Sequence, residues 1–535
     1  MSVSDATLGG GDALLKKSAL TKNPYLLVAL PLAVFWLFST AIGYAAATPG
    51  AAPVLVVLSV AAAVPFAHLR ASEFLVFQRR FLQLSAGLLV VYLLSEPFNV
   101  PVITLEAHHP AAMLHAYGRW LGAVLAMLAV FRPVFLAPAA GLAWLLRGMN
   151  EMLTGFEFSV LDVEIVFEVL VFAALGFLFV RMLARSGAVS ENVELKAGVL
   201  IAAIAVGAHF GNYFHSAIAK IALDGGMLSW IMDNRLYDGM LGAIEKGTFP
   251  FAASAMLTQT MFDALHVANV PFHLLSFAAQ FAAILCVARR KWVIAITLVY
   301  DAFHIGVFLV YGLLFWKWIA LNAILIAMTA AIPKGAWTRR VSLVCALFVI
   351  GGGVFFTTAR LAWYDAPAFA SRYFEAVDGD GVRYRVPSAY FGSASYQVSH
   401  GKFYPPVSQG HFSPSVWGSV KSQEPLLARR NCRPAQDELQ TAASNSEIAA
   451  LKAYVWANHA ALLRAADNNG QVNPYAYLHH HFPTLFVKRD IDNADLRNIT
   501  DYIFVVESVC LDLDNGRLTR NIINRDEIHL GKAKE

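Results

Sequence analysis

The sequence predicts an all-α polytopic membrane bundle of about nine to eleven spans, followed by a C-terminal extracytoplasmic α+β domain. Three observations carry this. Of 535 residues, 57% are hydrophobic and only 15% charged, where a soluble globular chain averages about 25% charged. A series of apolar stretches between residues 24 and 359 approaches the ~20 residues a helix needs to cross a bilayer. Residues 360–535 then turn polar and mixed in charge, with no stretch long enough to span and enough chain for a separate core. The lipid bilayer is therefore the first partner. The formal net charge of +4 comes without a long basic run, which argues against nucleic acid.

Residues 1–23 read as a polar cytoplasmic tail carrying Lys16, Lys17 and Lys22. The stretch 24–47 is too long for a signal-peptide core and lacks a cleavage pattern, so it reads as a retained span. Further apolar stretches lie at 52–69, 81–98, 119–131, 134–147, 160–183, 197–219, 271–288, 292–311, 313–332 and 341–359. The 119–147 region is the least regular. The stretch 247–270 is apolar but interrupted, and reads as a further span or a re-entrant piece. Arg70, Arg79 and Arg80, then Arg181, Arg185 and Lys196, then Arg289, Arg290 and Lys291, then Lys334, Arg339 and Arg340 fill connections that should be cytoplasmic. Phe81 to Gly118 holds no Lys or Arg and should include an outside loop. This pattern implies an odd number of spans in a cell's inner (plasma) membrane, with residues 24–359 in the bundle and 360–535 outside.

In the outer region, residues 438–466 read as a helix and 384–391 as a strand. Residues 502–512 and 517–523 flank Asn515-Gly516 and read as a β-hairpin. Cys286 and Cys345 lie in spans and suit packing. Cys432 and Cys510 lie in the outer region and are a candidate disulfide in an oxidising compartment.

Polar side chains inside spans carry the functional expectation, because they are costly in hydrocarbon. His209, Asn212, Ser216 and Lys220 step by three and four along one apolar run and share a helix face. Lys220 sits toward the outer end of that helix. The plainer alternative is a snorkelling lysine with interhelical polar contacts. Asp301 and His304 are one turn apart and can face one cavity, as catalytic groups or as a satisfied polar pair. Glu164 and Glu168 are four apart on an apolar helix; Lys220 or Arg119 is a candidate cation for them, and Asp162 suits the helix start. His108, His109 and His115 read as an outer-loop group. His266 and His273 fall near a helix end, and His479, His480 and His481 fall in the outer region. His209 and His215 do not have the tight box spacing of membrane di-iron enzymes, and a bis-histidine haem on His209, His215 or His304 has little support. No metal is expected.

Around Lys220 the chain reads Tyr213-Phe214-His215-Ser216-Ala217-Ile218-Ala219-Lys220-Ile221, with Trp230 following; a span, a basic turn and the segment Tyr300-Asp301-Ala302-Phe303-His304 come next. These segments resemble the horizontally transferred transmembrane (HTTM) domain of vitamin K-dependent γ-carboxylases. The likeness extends in layout over residues 25–335 and is specific over 205–235 and 271–320. It implies that Lys220 is a catalytic base acting on a reduced, vitamin K-like quinone, and that His304 supports catalysis, with Asp301 beside it. His209, Asn212, Ser216, Tyr213 and Trp230 form the candidate substrate-binding set. The large propeptide- and substrate-binding portion of the carboxylases is not recognisable. A poorly hydrated lysine reached laterally by a membrane-dissolved quinol suits proton abstraction. The leading expectation is thus a quinol-dependent oxidoreductase or carboxylase. A non-catalytic scaffold or assembly subunit, binding a protein partner through the outer domain, is the alternative. A transporter is third, since no matching halves are visible.

Overall fold

The computed structural model describes residues 22–96, 101–156, 161–401, 418–434, 443–473 and 489–531, with positions 408, 410–412, 475, 478, 480–484 and 487 between them. Among the described residues the chain is mostly helical, with one small antiparallel sheet near its C-terminal end.

Helices α1 (Pro24–Ala47), α2 (Ala51–Ala63), α3 (Val76–Ser95), α4 (Pro110–Phe131), α5 (Leu136–Thr154), α6 (Leu161–Arg185) and α7 (Glu191–Ile221) come first. Short α8 (Ser229–Asp233) and α9 (Leu236–Glu245) precede α10 (Ala255–Phe281), α11 (Arg290–Tyr311), α12 (Trp316–Ala331) and α13 (Arg339–Gly351). Among the described residues, five helices are long and apolar enough to cross a membrane: α1, α4, α6 from Glu164, α7 and α11. Segment Ala51–Phe66 and α12 are shorter apolar helices.

Local chemistry sets several ends. Asn23 Oδ1 accepts from the Tyr25 amide with Pro24 at the first helical position, so α1 starts sharply. Ser254 caps α10 in the same way. That helix corrects one expectation. It runs unbroken from Ala255 to Phe281 with Pro271 inside, so 247–270 and 271–288 are not separate segments. The stretch 341–359 also differs: α13 stops at Gly351, and after a 3₁₀ turn the chain is extended. Thirteen helical residues reach only about 20 Å.

Helix α7 is the axis of the bundle and is buried along nearly its whole length. Its tightest neighbour is α13. A Cβ on Gly207 would sit 2.5 Å from the Cys345 carbonyl, and one on Gly211 would sit 3.2 Å from that of Val349. The two glycines, four apart, let the backbones touch.

Beyond the bundle lie β1 (Ala368–Asp378), β2 (Arg383–Val386), β3 (Ile499–Asp514) and β4 (Arg517–His529), in sheet order β2-β1-β3-β4. Asn515 and Gly516 both have positive φ, 48° and 74°, as a two-residue hairpin turn of the primed type requires. Strand β1 pairs with β3 from Ala368↔Cys510 onward; nothing in the alternation of its side chains had marked it. Residues 384–391 are a strand only as far as Val386 and then a 3₁₀ turn from Ser388. The helix expected at 438–466 is Asn445–Ala465, started by a Ser444–Glu447 capping box; most of 438–444 lies outside the described residues. Cys432 and Cys510 form a disulfide, Cα–Cα 5.7 Å.

Candidate functional site

The polar stripe of α7 divides into two clusters. The first lies mid-helix, where α7 meets α11 and α12. His209 Nε2 and Asn322 Oδ1 are 2.8 Å apart, and Asn322 Nδ2 donates to Asp301 Oδ1 at 2.7 Å. The Tyr213 hydroxyl lies 2.9 Å from His304 Nε2 and 3.4 Å from His209 Nε2. Asn322 Oδ1 accepts from His209 while its Nδ2 donates to Asp301, so the bond pattern assigns the proton of His209 to Nε2. Tyr213 then donates to His304 Nε2, which leaves the His304 proton on Nδ1. His209 Nδ1 and His304 Nδ1 are both buried and have no hydrogen-bond partner among the described residues. One is an acceptor and the other a donor. The ring of Tyr213 stacks on Tyr300 at 3.7 Å, and Trp318 stands edge-on to Tyr213 and His304.

The second cluster begins at Lys220, about 10 Å farther along α7. The Lys220 amine donates to Leu361 O at 2.8 Å, Gln280 Oε1 at 3.0 Å and Ser216 O at 3.5 Å. It also lies 4.7 Å from the Trp230 ring centroid. Among the described residues no carboxylate is a partner of Lys220, which is 5% exposed. No hydrogen bond links Lys220 with His304 among the described residues. The stripe thus meets two neighbouring sets of partners on one helix.

What Lys220 touches explains the rest of the stripe. Residues 357–365 form an extended strap whose alternate backbone groups are bonded by side chains. Glu168 accepts from the Thr357 amide and hydroxyl at 2.7 and 2.8 Å. Asn212 Oδ1 accepts from Ala359 N at 2.7 Å, Ser216 Oγ from Leu361 N at 3.1 Å, and Asn234 Oδ1 from Asp365 N at 2.6 Å. Trp230 Nε1 donates to Trp363 O at 3.0 Å. Non-helical backbone packed among apolar helices must have its polar groups satisfied, and these side chains do so. Glu168 therefore meets neither Lys220 nor Arg119. Arg119 lies over Trp120, and the side chain of Asp162 lies outside the described residues.

The strap ends at a buried hub. Asp365 accepts from Trp363 Nε1 at 3.1 Å, Asn234 Nδ2 at 3.3 Å and the Tyr311 hydroxyl at 3.4 Å. Burial pushes its carboxyl up to about 6 despite these donors. Asn234 Nδ2 also donates to His273 Nε2 at 3.0 Å, and the His273 ring stands edge-on to Trp230 at 4.6 Å. Lys220, Trp230, His273, Asn234 and Asp365 are thus one continuous buried polar patch.

Other histidines fall differently from expectation. His109 caps α4, accepting from Ala111 N, and His115 is inside α4, 2.8 Å from Asn150 Oδ1. His108 alone of the three is in the exposed loop, beside Glu106. His266 and His273 are inside α10, not at its end. His215 Nε2 bonds the Ile350 carbonyl. His481 lies 2.6 Å from His400, and His480 stands edge-on to Phe315; His479 is outside the described residues. Among the described residues no three of His, Cys, Asp or Glu are arranged to hold a metal ion.

Sequence reading passed over Gln280, Asn322, Asn234 and Asp365. Gln280 and Asn322 were detectable as lone amides inside apolar runs. It also passed over a buried ion pair, Lys317 Nζ to Glu96 Oε1 at 2.9 Å, joined by Trp316 Nε1 at 3.0 Å. No family model matches this sequence, and neither the curated proteins nor the solved structures contain a match.

Proposed function

We propose that this protein is a multi-pass membrane enzyme acting on a lipid-soluble quinol or phenol, with Lys220 as the proton acceptor. The observation that carries the reading is the Lys220 amine, buried in the bundle with neutral partners only among the described residues. A neutral amine there takes the hydroxyl proton of a quinol, leaving an oxyanion. The resulting ammonium is held by Leu361 O, Gln280 Oε1, Ser216 O and the face of Trp230. Asp301 and His304 belong to the neighbouring cluster, where the two unpartnered imidazole nitrogens suit the oxygens of a quinone-type ring. The oxidoreductase or carboxylase step that follows is the part the HTTM resemblance supplies. The arrangement of basic loops supports a cytoplasmic N-terminus in an inner membrane and an outer C-terminal region, and the Cys432–Cys510 disulfide fits an oxidising compartment.

A second reading is a scaffold or assembly subunit that binds a protein partner through the outer domain. The strap favours it: a permanently charged Lys220 would then be a clamp for Leu361. Two substitutions separate the readings. Lys220→Arg keeps the charge and the clamp but has no neutral form near pH 7; Lys220→Met loses both. The protein in lipid nanodiscs, given a short-tail reduced naphthoquinone with oxygen and bicarbonate, is expected to consume the quinol. Both variants should lose at least about 100-fold, with Lys220→Arg keeping its melting temperature. A wild-type protein that neither binds nor consumes quinol, or a fully active Lys220→Arg, refutes the base.

A further inference from the structure

An apolar cavity of about 550 Å³ lies among α1, α2, α5 and α6. Leu30, Phe38, Leu58, Phe66, Leu175 and Met182 are among its walls. The α6 wall at this level faces Ile201 of α7, as the approach of Gly176 to Ile201 shows. Lys220 is nineteen residues farther along α7, about 28 Å away.

The lining excludes a polar occupant. Its one hydroxyl, Ser59, is spent on the Leu55 carbonyl at 2.6 Å. A water here would find no partners, and a void of this size without them takes hydrocarbon. The polar end of the cavity is different. Phe66 and Val134 are wall residues, and Arg132 joins their two turns by donating to His68 O at 3.2 Å. Arg70 is exposed, four residues after Phe66. The acid in that turn, Glu73, is engaged by Arg185 at 2.9 Å and by the Arg70 amide at 3.0 Å. No carboxylate pairs with the Arg132 or Arg70 side chain among the described residues. Two turns that carry guanidinium groups without a carboxylate partner among the described residues thus adjoin a hydrocarbon-lined cavity, the complement of a lipid with an alkyl tail and an anionic head.

We propose that this cavity binds one acyl chain of an anionic phospholipid, with its phosphate held by Arg132 and Arg70. The site is independent of the proposed chemistry at Lys220.

Native mass spectrometry of the full chain, delipidated in mild detergent and titrated with phosphatidylglycerol or phosphatidylcholine of the same chains, tests this. One phosphatidylglycerol should be retained, more tightly than phosphatidylcholine. Arg132→Gln should weaken phosphatidylglycerol about five-fold, the worth of one basic contact near a headgroup, and leave phosphatidylcholine unchanged. Ala62→Trp, which fills the cavity from α2, should remove retention of both. Leu58→Phe repeats that test from another position, and melting temperatures confirm that each variant is folded. Equal retention of the two lipids, a headgroup preference indifferent to Arg132→Gln, or retention that survives both filling variants overturns the proposal. So does displacement of the phospholipid by a long-tailed quinone.

Discussion

Asn322 shows how much a single amide can organise. Its oxygen faces His209 and its nitrogen holds Asp301, so three helices meet at one side chain. Asn322→Ala would strip a buried partner from each, and should cost roughly 2–4 kcal/mol, read as a lower melting temperature. Asp365 acts at the same scale through pH. Burial raises its carboxyl above the unfolded value, so its protonated form is the one the fold favours. Its contribution is full below pH 3.8 and is lost as pH rises through about 6. That rise is worth about 3 kcal/mol. Stability should therefore fall between about pH 4 and 7, and Asp365→Asn should flatten that part of the profile. A wild-type stability that rises over the same interval contradicts the assignment. Asp238, pushed up to about 7 by burial, adds a fall of the same sign slightly higher.

At the scale of elements, the α7–α13 contact depends on the absence of side chains. Gly207→Ala would drive a methyl to 2.5 Å from the Cys345 carbonyl, a backbone atom that cannot swing aside. A loss of about 1–3 kcal/mol is expected. Gly87→Ala in α3, where a Cβ meets nothing within 4 Å, is the control and should be neutral or stabilising by up to about 1 kcal/mol. Thermal unfolding of both in one detergent checks the pair. The strap sits beside that contact, and its dependence on Asn212, Ser216 and Lys220 makes those residues structural whatever their chemistry.

For the whole molecule, the disulfide closes 78 residues of chain. In the loop-entropy account, a closure of that length stabilises by roughly 4 kcal/mol. Cys432→Ser should lower the unfolding temperature of the outer region more than that of the bundle, seen as two separated transitions in calorimetry. The proposed orientation has its own check. Alkaline phosphatase fused after Glu535 should be active if that end is outside, and inactive fusions would reverse the topology.

The sequence alone determined the class of molecule. Apolar length and sparse charge depend on composition, and a helix in hydrocarbon satisfies its own backbone, so α1, α4, α6, α7 and α11 follow from local chemistry. The Asn515-Gly516 hairpin was legible for the same reason, since its turn needs only two residues with positive φ. The three- and four-residue spacing of His209, Asn212, Ser216 and Lys220 marked one face of α7, but which partners that stripe meets was decided in three dimensions. Gln280, Asn322 and Leu361 lie 60 to 141 residues from Lys220 and His209. Strand β1 was hidden because both of its faces are buried, Phe369 and Ser371 meeting α9 and Ala368, Ala370, Phe374 and Ala376 lying in the core beneath the sheet, so no alternation marks it. Only the folded chain could separate one polar stripe into an imidazole–phenol cluster and an amine clasped to a strap, because a helix face records which residues align but not what comes to rest against them.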